Sequence, residues 1–328
     1  MRMNSLPSSL RIGVLRGGPS SEYDVSLETG ANILKQLSLT HKPLDIFISK
    51  DGVWHMHGVP RTPEKILQHT DVIFNALHGE FGEDGRVQHI LNSIGVPYTG
   101  SETLPSSMSM NKLFSKELFL KHNIKTPQHT SFRVDEDIMK KSAEIFRTFI
   151  MPVIIKPASG GSSIGISIAK NIPEIAESIK KSLEFGSSVI IEEYIKGKEA
   201  TCAVVQDFRG QELYVLLPIE VRHNTNSFFD YNSKYMDDRT EQICPGRFSK
   251  EEKETIERYA KEAHKALGLR HYSRSDFIVS PRRGVYILET NSLPGMTSHS
   301  FVPKSLEAVG VSMKDFIHHV LHLALNKK

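Results

Sequence analysis

The sequence predicts a multidomain α/β protein whose first part is built on a parallel β-sheet. Its 328 residues are too many for one compact core and suit two or three domains. In the first third of the chain, short apolar runs alternate with amphipathic stretches, which is the rhythm of βαβ units. Further along, two apolar runs enclose a loop rich in glycine and serine, which indicates a second unit of different construction.

The first unit is expected to span residues 1–107. Gly95 and Pro97 should end its last helix, because neither residue continues a helix well. The elements expected before that point are strands at 11–15, 44–48 and 72–76 and helices at 26–37 and 87–94.

The second and third units are expected to span residues 108–198 and 199–328. In the second, two strands should clasp a glycine-rich hairpin. Its expected elements are helices at 112–122 and 173–185 and strands at 153–157, 166–169 and 189–193. Those of the third are strands around 213–219, 276–279 and 285–288 and a helix at 250–267.

Composition narrows the class of protein without identifying a ligand. Apolar residues make up 39% and charged residues 24% of the chain, and the formal charge of +3 gives no reason to expect a nucleic-acid or membrane partner. Cys202 and Cys244 lack the C-x-x-C spacing of a zinc or redox site. No signal peptide or apolar run of about 20 residues is present, so we expect a cytoplasmic protein.

The first candidate loop, residues 17–22 (GGPSSE), follows a strand and precedes a helix. Backbone N–H groups at such a helix start can hold an anion. The loop lacks the spacing G-x-G-x-x-G of dinucleotide sites, and Glu22 would repel a phosphate but suits an ammonium group. A tight turn in which Ser21 caps the helix is an equally open interpretation.

The second candidate loop, residues 78–85 (HGEFGEDG), follows the apolar strand expected at 72–76. That position is the carboxyl end of a strand, where open α/β sheets bind ligands. The alternative is an ordinary glycine-rich loop in which Glu83 or Asp84 starts the next helix.

The third candidate loop, residues 160–165 (GGSSIG), lies between two β-rich runs just after Lys156. Small residues let backbone amides close over phosphates while a lysine neutralises them. The loop also fits G-x-S-x-G, the signature of a serine hydrolase. That alternative requires a helix after the serine, whereas residues 166–169 alternate like a strand.

The fourth cluster places three hard oxygen donors near one another. Glu289 and Asn291 are two residues apart, so they share a face if the strand continues, and Asp276 belongs to the neighbouring strand. Magnesium prefers such oxygens and is usually bound by one or two carboxylates and nucleotide phosphates. The cluster therefore predicts a magnesium site.

Taken in chain order, these segments resemble the D-alanine–D-alanine ligase family of ATP-grasp enzymes, from about residue 11 to about residue 325. Further matching segments are YTGS at 98–101, MNK at 110–112, DYNSKY at 230–235 and PGMTSHS at 294–300. The resemblance implies a three-domain ATP-grasp fold of α/β (α+β) class with a Rossmann-like N-terminal domain. ATP would lie between the second and third domains, and the amino acids where all three meet.

The resemblance also implies an ATP and metal site. ATP would be bound by Lys112, Lys156 and Lys234 at the phosphates, by Glu192 and Glu199 at the adenine and ribose, and by Ser163. Two Mg²⁺ ions, or Mn²⁺ in their place, would be held by Asp276, Glu289 and Asn291.

By the same resemblance, one D-alanine is phosphorylated by ATP and the amine of a second attacks the acyl phosphate. The first ammonium group would meet Glu22, with His78 nearby, and the tetrahedral oxyanion would be stabilised by Arg274 and the Gly295 N–H. The remaining implied roles are Ser162 and Tyr235 tying the closing loops together, Ser300 binding the second carboxylate and Phe301 lying beside the second substrate. A homodimer supplying the cell-wall precursor is also implied.

Departures from the family pattern leave the second substrate open. Phe301 stands where leucine is common, Thr290 replaces an aliphatic residue, and Gly160 falls where many members carry a charge. Tyr235 resembles the dipeptide-forming members, which disfavours D-lactate. The alternatives are an ATP-grasp ligase that takes D-serine or D-lactate as second substrate, or a nucleotide-binding sensor that has lost ligation.

Overall fold

The computed structural model describes residues 6–161, 165–223 and 240–326. These residues form three β-sheets with helices packed against them, and each sheet comes from a consecutive stretch of the chain. No helix within these ranges is long and apolar enough to cross a membrane.

The first sheet has the order β4-β3-β2-β1-β5. Its strands are β1 (Ile12–Gly17), β2 (Leu44–Ile48), β3 (Trp54–Met56), β4 (Val59–Pro60) and β5 (Val72–Asn75). Strand β1 pairs in parallel with β2 and β5, so the predicted parallel sheet is confirmed. The antiparallel additions β3 and β4 were not predicted.

Four helices accompany this sheet: α1 (Tyr23–Leu37), α2 (Pro63–Leu67), α3 (Arg86–Ile94) and α4 (Thr103–Met110). The buried face of α1 is formed by residues three or four apart, which include Thr29, Ile33 and Leu37. Helix α3 ends at Gly95, whose φ of 78° suits glycine. The expected end of this helix is therefore confirmed.

The second sheet has the order β6-β9-β7-β8. Its elements are α5 (Lys112–Lys121), β6 (His129–Arg133), α6 (Ile138–Thr148), β7 (Val153–Pro157), β8 (Ser167–Ala169), α7 (Ile172–Leu183) and β9 (Ser188–Glu193). Strands β7 and β8 are antiparallel, which confirms the predicted hairpin. Because a strand follows the loop, the nucleophile elbow of a serine hydrolase is not formed there.

The third sheet has the order β13-β12-β10-β14-β15, with β11 paired to β10. Its strands are β10 (Lys198–Phe208), β11 (Gln211–Val215), β12 (Ile219–His223), β13 (Thr240–Ile243), β14 (Tyr272–Ser280) and β15 (Gly284–Asn291), and its helices are α8 (Lys250–Ala266), α9 (Phe301–Ala308) and α10 (Met313–Leu325). The single strand expected around 213–219 is wrong. Pro218, which has no N–H to donate, lies between β11 and β12.

One buried hydrophobic core joins the first and third parts of the chain. Ile12, Ile33 and Phe74 share it with Phe316 and Leu321 of the last helix. The second sheet has a separate core between its strands and helices α6 and α7. The division at residues 107 and 198 remains a prediction, and α4 runs across the first of these positions while β10 begins at the second.

Candidate functional site

A cavity of about 250 Å³ lies where the three parts of the chain meet. The residues that line it include Ser21 and Glu80 from the first part, Lys112, Lys156, Gly160 and Gly161 from the second, and Glu199, Thr201, Arg274, Asp276, Glu289 and Phe301 from the third. The cavity therefore brings most of the described predicted ATP and metal residues to one place.

The predicted oxygen donors meet on strands β14 and β15. Asp276 lies directly opposite Glu289 in the antiparallel ladder, and Arg274 lies opposite Asn291. The Asn291 amide nitrogen donates to Asp276 Oδ2 at 3.4 Å, which turns its amide oxygen away from that carboxylate. The structure thus places all three proposed ligands together, as the two-residue spacing predicted.

Asp276 is held in place by its neighbours. Arg274 donates to both of its carboxylate oxygens at 2.9 Å. Thr201 donates its hydroxyl to Asp276 Oδ1 at 2.6 Å. Each carboxylate oxygen of Asp276 thus accepts two hydrogen bonds, Oδ1 from Arg274 and Thr201 and Oδ2 from Arg274 and Asn291, which fixes the orientation of the carboxylate.

The donor set fits a divalent cation that nucleotide phosphates complete. Two carboxylates directly opposite each other repel, and a cation between them removes the repulsion. Within the described residues no group of three or more His, Cys, Asp and Glu forms a metal site. The metal interpretation therefore depends on Asp276, Glu289 and the Asn291 amide, a set typical of magnesium bound together with phosphates.

Lys112 faces these carboxylates from the second part of the chain. Its ammonium group lies 3.6 Å from Glu289 Oε2 and donates to the Gly160 carbonyl at 2.6 Å. Burial lowers the pKa of Lys112, and Glu289 partly offsets that effect. Lys112 thus connects the acidic pair to the glycine-rich loop.

A buried group of three charges lies behind the cavity. Lys156 and Lys116 both lie 3.1 Å from the Glu192 carboxylate, and Lys116 also donates to Thr126 at 2.6 Å. The contact between Lys116 and Glu192 Oε1 is an ion pair that does not have the geometry of a hydrogen bond. Burial lowers the pKa of Lys116 to about 8. Burial alone would raise the pKa of Glu192, but the two lysines outweigh it and lower that pKa.

Sequence reasoning found two members of this group and missed Lys116. Lys116 is fully buried, which is rare for lysine unless it is paired. On the sequence it belongs to a helix with other lysines, so only its partner Glu192, far along the chain, reveals its environment. Glu199, the other proposed nucleotide residue, lines the cavity and lies 3.2 Å from His223 Nε2.

Glu22 is buried at the start of α1 and is itself the N-cap residue. The alternative in which Ser21 caps the helix is therefore wrong, because the Ser21 hydroxyl donates to Glu80 instead. A Cβ at Gly161 would lie 2.2 Å from Glu22 Oε1, so a side chain at this position would displace the Glu22 carboxylate. The structure thus brings the first and third candidate loops together at the Glu22 carboxylate.

His78 is buried and bound by protein groups at both ring nitrogens. Nδ1 donates to the Leu293 carbonyl at 2.9 Å, so Nε2 is the acceptor for the Thr29 hydroxyl at 2.8 Å. Burial lowers the pKa of His78 to about 4, which keeps the ring neutral. His78, which was predicted to lie near Glu22, therefore supports the surrounding protein through these two hydrogen bonds.

Glu83 is a further buried residue of the second candidate loop. Its carboxylate accepts from the Gly79 N–H at 3.0 Å and from the Leu293 N–H at 3.2 Å. Burial raises its pKa to about 8, and the Glu22 carboxylate adds to the rise. The alternative in which Glu83 or Asp84 starts the next helix is wrong, since Gly85 is the N-cap residue and α3 begins at Arg86.

Gly295 and Ser300 lie together in the segment between β15 and α9. A Cβ at Gly295 would lie 2.9 Å from the Ser300 hydroxyl, which accepts from the Thr297 N–H at 3.1 Å. Phe301 lines the cavity, and the Arg274 guanidinium lies 5.5 Å from the centre of its ring. Phe301 thus supports the residue proposed to stabilise the oxyanion.

The Thr290 side chain makes a cross-strand contact and is not a ligand. It is buried, and its hydroxyl lies 2.9 Å from that of Ser275.

Four predicted site residues lie outside the described residues: Ser162, Ser163, Lys234 and Tyr235.

Comparison with known proteins identifies the family. A family model described as the C-terminal part of D-Ala–D-Ala ligase matches residues 118–322, and a model of the N-terminal part matches residues 55–101. A D-alanine–D-alanine ligase of Carboxydothermus hydrogenoformans is 36% identical over 320 residues, covering 96% of this chain and 98% of that protein.

The chain belongs to the D-alanine–D-alanine ligase family. As a member of this ligase family it is an ATP-dependent, ADP-forming enzyme. The structure of a D-alanine–D-alanine ligase from Bacillus anthracis matches it with a TM-score of 0.78 and 32% identity, over 97% of this chain and 98% of that one. A D-Ala:D-Ser ligase structure from Enterococcus faecalis matches with a TM-score of 0.83 and 29% identity, over 96% and 99%. The predicted ATP-grasp fold class is confirmed.

Proposed function

We propose that the cavity joins two D-alanine molecules to D-alanyl-D-alanine through an acyl-phosphate intermediate. The observation that supports this most is the arrangement of charges in the cavity. Lys112, Lys156 and Arg274 supply positive charge on its walls, and Asp276 lies directly opposite Glu289. Such a site can bind a nucleotide triphosphate with a divalent cation and bring a carboxylate to it.

In the first step the carboxylate of one D-alanine attacks the γ-phosphate of ATP. Its ammonium group would pair with Glu22, which lies beside the glycine-rich loop at Gly161. Lys112 and Lys156 would offset the negative charge of the phosphates. The products are ADP and an acyl phosphate, in which phosphate has become a good leaving group.

In the second step the neutral amine of the other D-alanine attacks the acyl carbon. The oxyanion formed would be stabilised by Arg274 and by the Gly295 N–H, while Ser300 would bind the second carboxylate. Phosphate then leaves, the attacking nitrogen gives up one proton, and the amide bond is complete. Phe301, which packs against Arg274, would form one side of the pocket for the second substrate.

The metal and nucleotide assignments are parts of the same proposal. Asp276, Glu289 and Asn291 would hold two Mg²⁺ ions, or Mn²⁺ in their place, and bound cations would offset charge on the transferring group. Glu199 would bind the ribose, and Glu192 would contribute to adenine binding by fixing Lys156.

The wider setting is also a proposal. We infer three domains at 1–107, 108–198 and 199–328, a homodimer, and a cytoplasmic enzyme whose dipeptide serves peptidoglycan precursor synthesis. The support is the resemblance of the whole chain to the ligase family, with 96% of the chain aligned to the C. hydrogenoformans enzyme.

The test is phosphate release from ATP and Mg²⁺ with D-alanine alone, with products identified by mass. We expect one phosphate per D-alanyl-D-alanine formed. Phosphate release without a dipeptide would support a sensor or ATPase instead. No phosphate release with any amino acid would contradict ligation altogether.

The second substrate is tested by adding D-serine, D-lactate or L-alanine to D-alanine. The names of the aligned relatives favour D-alanine. The Enterococcus structure is that of a D-Ala:D-Ser ligase, which makes D-serine the most informative competitor. If a mixed product forms in excess over the D-alanine dipeptide, the added compound and not D-alanine is the preferred second substrate.

A further inference from the structure

Residues 293–296, here called the Gly295 loop, are held by side chains from the first part of the chain. At its start, the Leu293 N–H donates to Glu83 and the Leu293 carbonyl accepts from His78. At its end, the Met296 carbonyl accepts from the Asn32 amide at 2.6 Å. Both ends of the loop are therefore fixed from outside the third sheet.

The second bond at the end of the loop involves Thr29, one turn before Asn32 on α1. Its hydroxyl accepts from the Met296 N–H at 3.4 Å and donates to His78 Nε2. His78 needs its other nitrogen protonated to reach the Leu293 carbonyl. One hydrogen-bond network thus links the two ends of the loop.

The peptide in the middle of the loop is different. Among the described residues, no group accepts a hydrogen bond from the Gly295 N–H. The flanking side chains Leu293 and Met296 are buried in the core shared with α1. Burial of these side chains fixes how deep the loop lies. The hydrogen bonds to the backbone of Leu293 and Met296 fix the direction in which the Gly295 N–H points.

We propose that Asn32, assisted by Thr29, is a positioning residue for amide-bond formation: it holds the Gly295 loop so that the Gly295 N–H faces the tetrahedral oxyanion. The inference rests on the proposed function, which assigns the oxyanion to Gly295. Helix α1 begins next to Glu22, the proposed partner of the first ammonium group, so one helix sets both positions. Asn32 is ten residues further on, roughly 15 Å along the helix axis.

This role predicts that the two chemical steps respond differently to loss of the Asn32 amide. Phosphoryl transfer does not use the Gly295 N–H, whereas attack on the acyl carbon does. Complete removal of an oxyanion donor lowers turnover by about 100- to 1,000-fold, and a donor that is only misoriented should lose less. For Asn32→Ala we expect dipeptide formation to slow by about tenfold.

The experiment is a rapid-quench time course with the full-length enzyme, saturating ATP and D-alanine, and ADP and dipeptide measured in the same samples. In the wild type, ADP and dipeptide should appear together. In Asn32→Ala, ADP should form within about twofold of the wild-type rate while the dipeptide lags, so that acyl phosphate accumulates. Equal slowing of both products, or an unchanged time course, would overturn the positioning role.

Two further variants sharpen the result. Asn32→Asp keeps the size of the side chain but replaces the donor with an acceptor, so it should show at least the same lag. Thr40→Ala removes a contact between the turn that follows α1 and His318, 3.2 Å away, without touching the Gly295 loop, and should show no lag. A lag in Thr40→Ala would assign the effect to general loosening of α1.

Failure of the proposed function would look different. If the wild-type enzyme gives neither ADP nor dipeptide from ATP and D-alanine, the ligation itself is wrong. If the wild type gives both products and Asn32→Ala does the same at wild-type rates, only the positioning role is wrong.

Discussion

Replacing Glu289 with glutamine tests whether the carboxylate pair binds the metal. The variant keeps the shape of the side chain but removes one of the two charges that face each other across β14 and β15. It also removes the partner of the Lys112 ammonium group, 3.6 Å away. The two losses have opposite effects on ATP binding. Loss of the ligand charge weakens the metal site, whereas loss of the Lys112 partner leaves that lysine free to interact with phosphate.

The two effects appear in different measurements, one in the Mg²⁺ dependence of turnover and the other in ATP binding without Mg²⁺. A unit-charge pair near 4 Å is worth about 4 kcal/mol at an effective dielectric constant of 20, which is an upper bound for what Lys112 could gain toward phosphate. Altering groups that only support metal ligands already costs about 10- to 100-fold in metal affinity. For Glu289→Gln, which changes a ligand itself, we therefore expect the half-saturating Mg²⁺ concentration to rise by about 100-fold or more, while ATP binding without Mg²⁺ is maintained or strengthened.

The assay is steady-state turnover against Mg²⁺ concentration at fixed ATP, with direct binding of ATP in a chelator as a second measurement. Glu212→Gln is the matched control, because it removes the same charge from an exposed pair with Lys265. The control should stay within about twofold of the wild type. A half-saturating Mg²⁺ concentration that stays unchanged in Glu289→Gln would refute the metal assignment, even if turnover falls.

Three further predictions concern single residues. Phe301→Leu removes the ring beside Arg274 and should change KM for the second D-alanine more than KM for the first; equal changes would place Phe301 elsewhere. Gly161→Ala would bring a Cβ within 2.2 Å of Glu22 Oε1 and should raise KM for the first D-alanine by about tenfold, whereas an unchanged KM would remove Glu22 from that role. Burial lowers the pKa of His271 to about 3, so its stabilising contribution is complete above pH 6.5 and declines as the pH falls toward 3. The stability lost between pH 6.5 and pH 5, measured by denaturant unfolding, should be smaller in His271→Asn than in the wild type by about 1.6 kcal/mol, and identical pH profiles for the two proteins would contradict it.

Local sequence patterns predicted the elements and site residues whose environment is set by residues close to them in the sequence. Strands β2 and β7 carry short apolar runs and were placed with their observed ends. Asp276 and Glu289 meet because two antiparallel strands are joined by a short turn. Helix α4 was missed because its serine-rich sequence shows little of the apolar spacing that marks a helix.

Contacts between distant parts of the chain could not be predicted in this way. Asn32 and Met296 are 264 residues apart, and nothing in either local sequence indicates the other. Lys116 has the same difficulty, since a buried lysine and an exposed lysine look alike on a helix until the partner is known. The family resemblance supplied the roles of site residues but not the side chains that orient them.

The core shared by the first and third parts of the chain has a consequence for synthesis of the protein. The apolar face of β5 and the inner face of α1 are covered by α10, which begins at Met313, far along the chain from the end of β5 at Asn75. Until that helix has left the ribosome, the first sheet cannot bury this surface. The nascent chain must therefore keep an apolar face exposed while the residues between β5 and α10 are translated, and during that time chaperone binding or aggregation competes with folding.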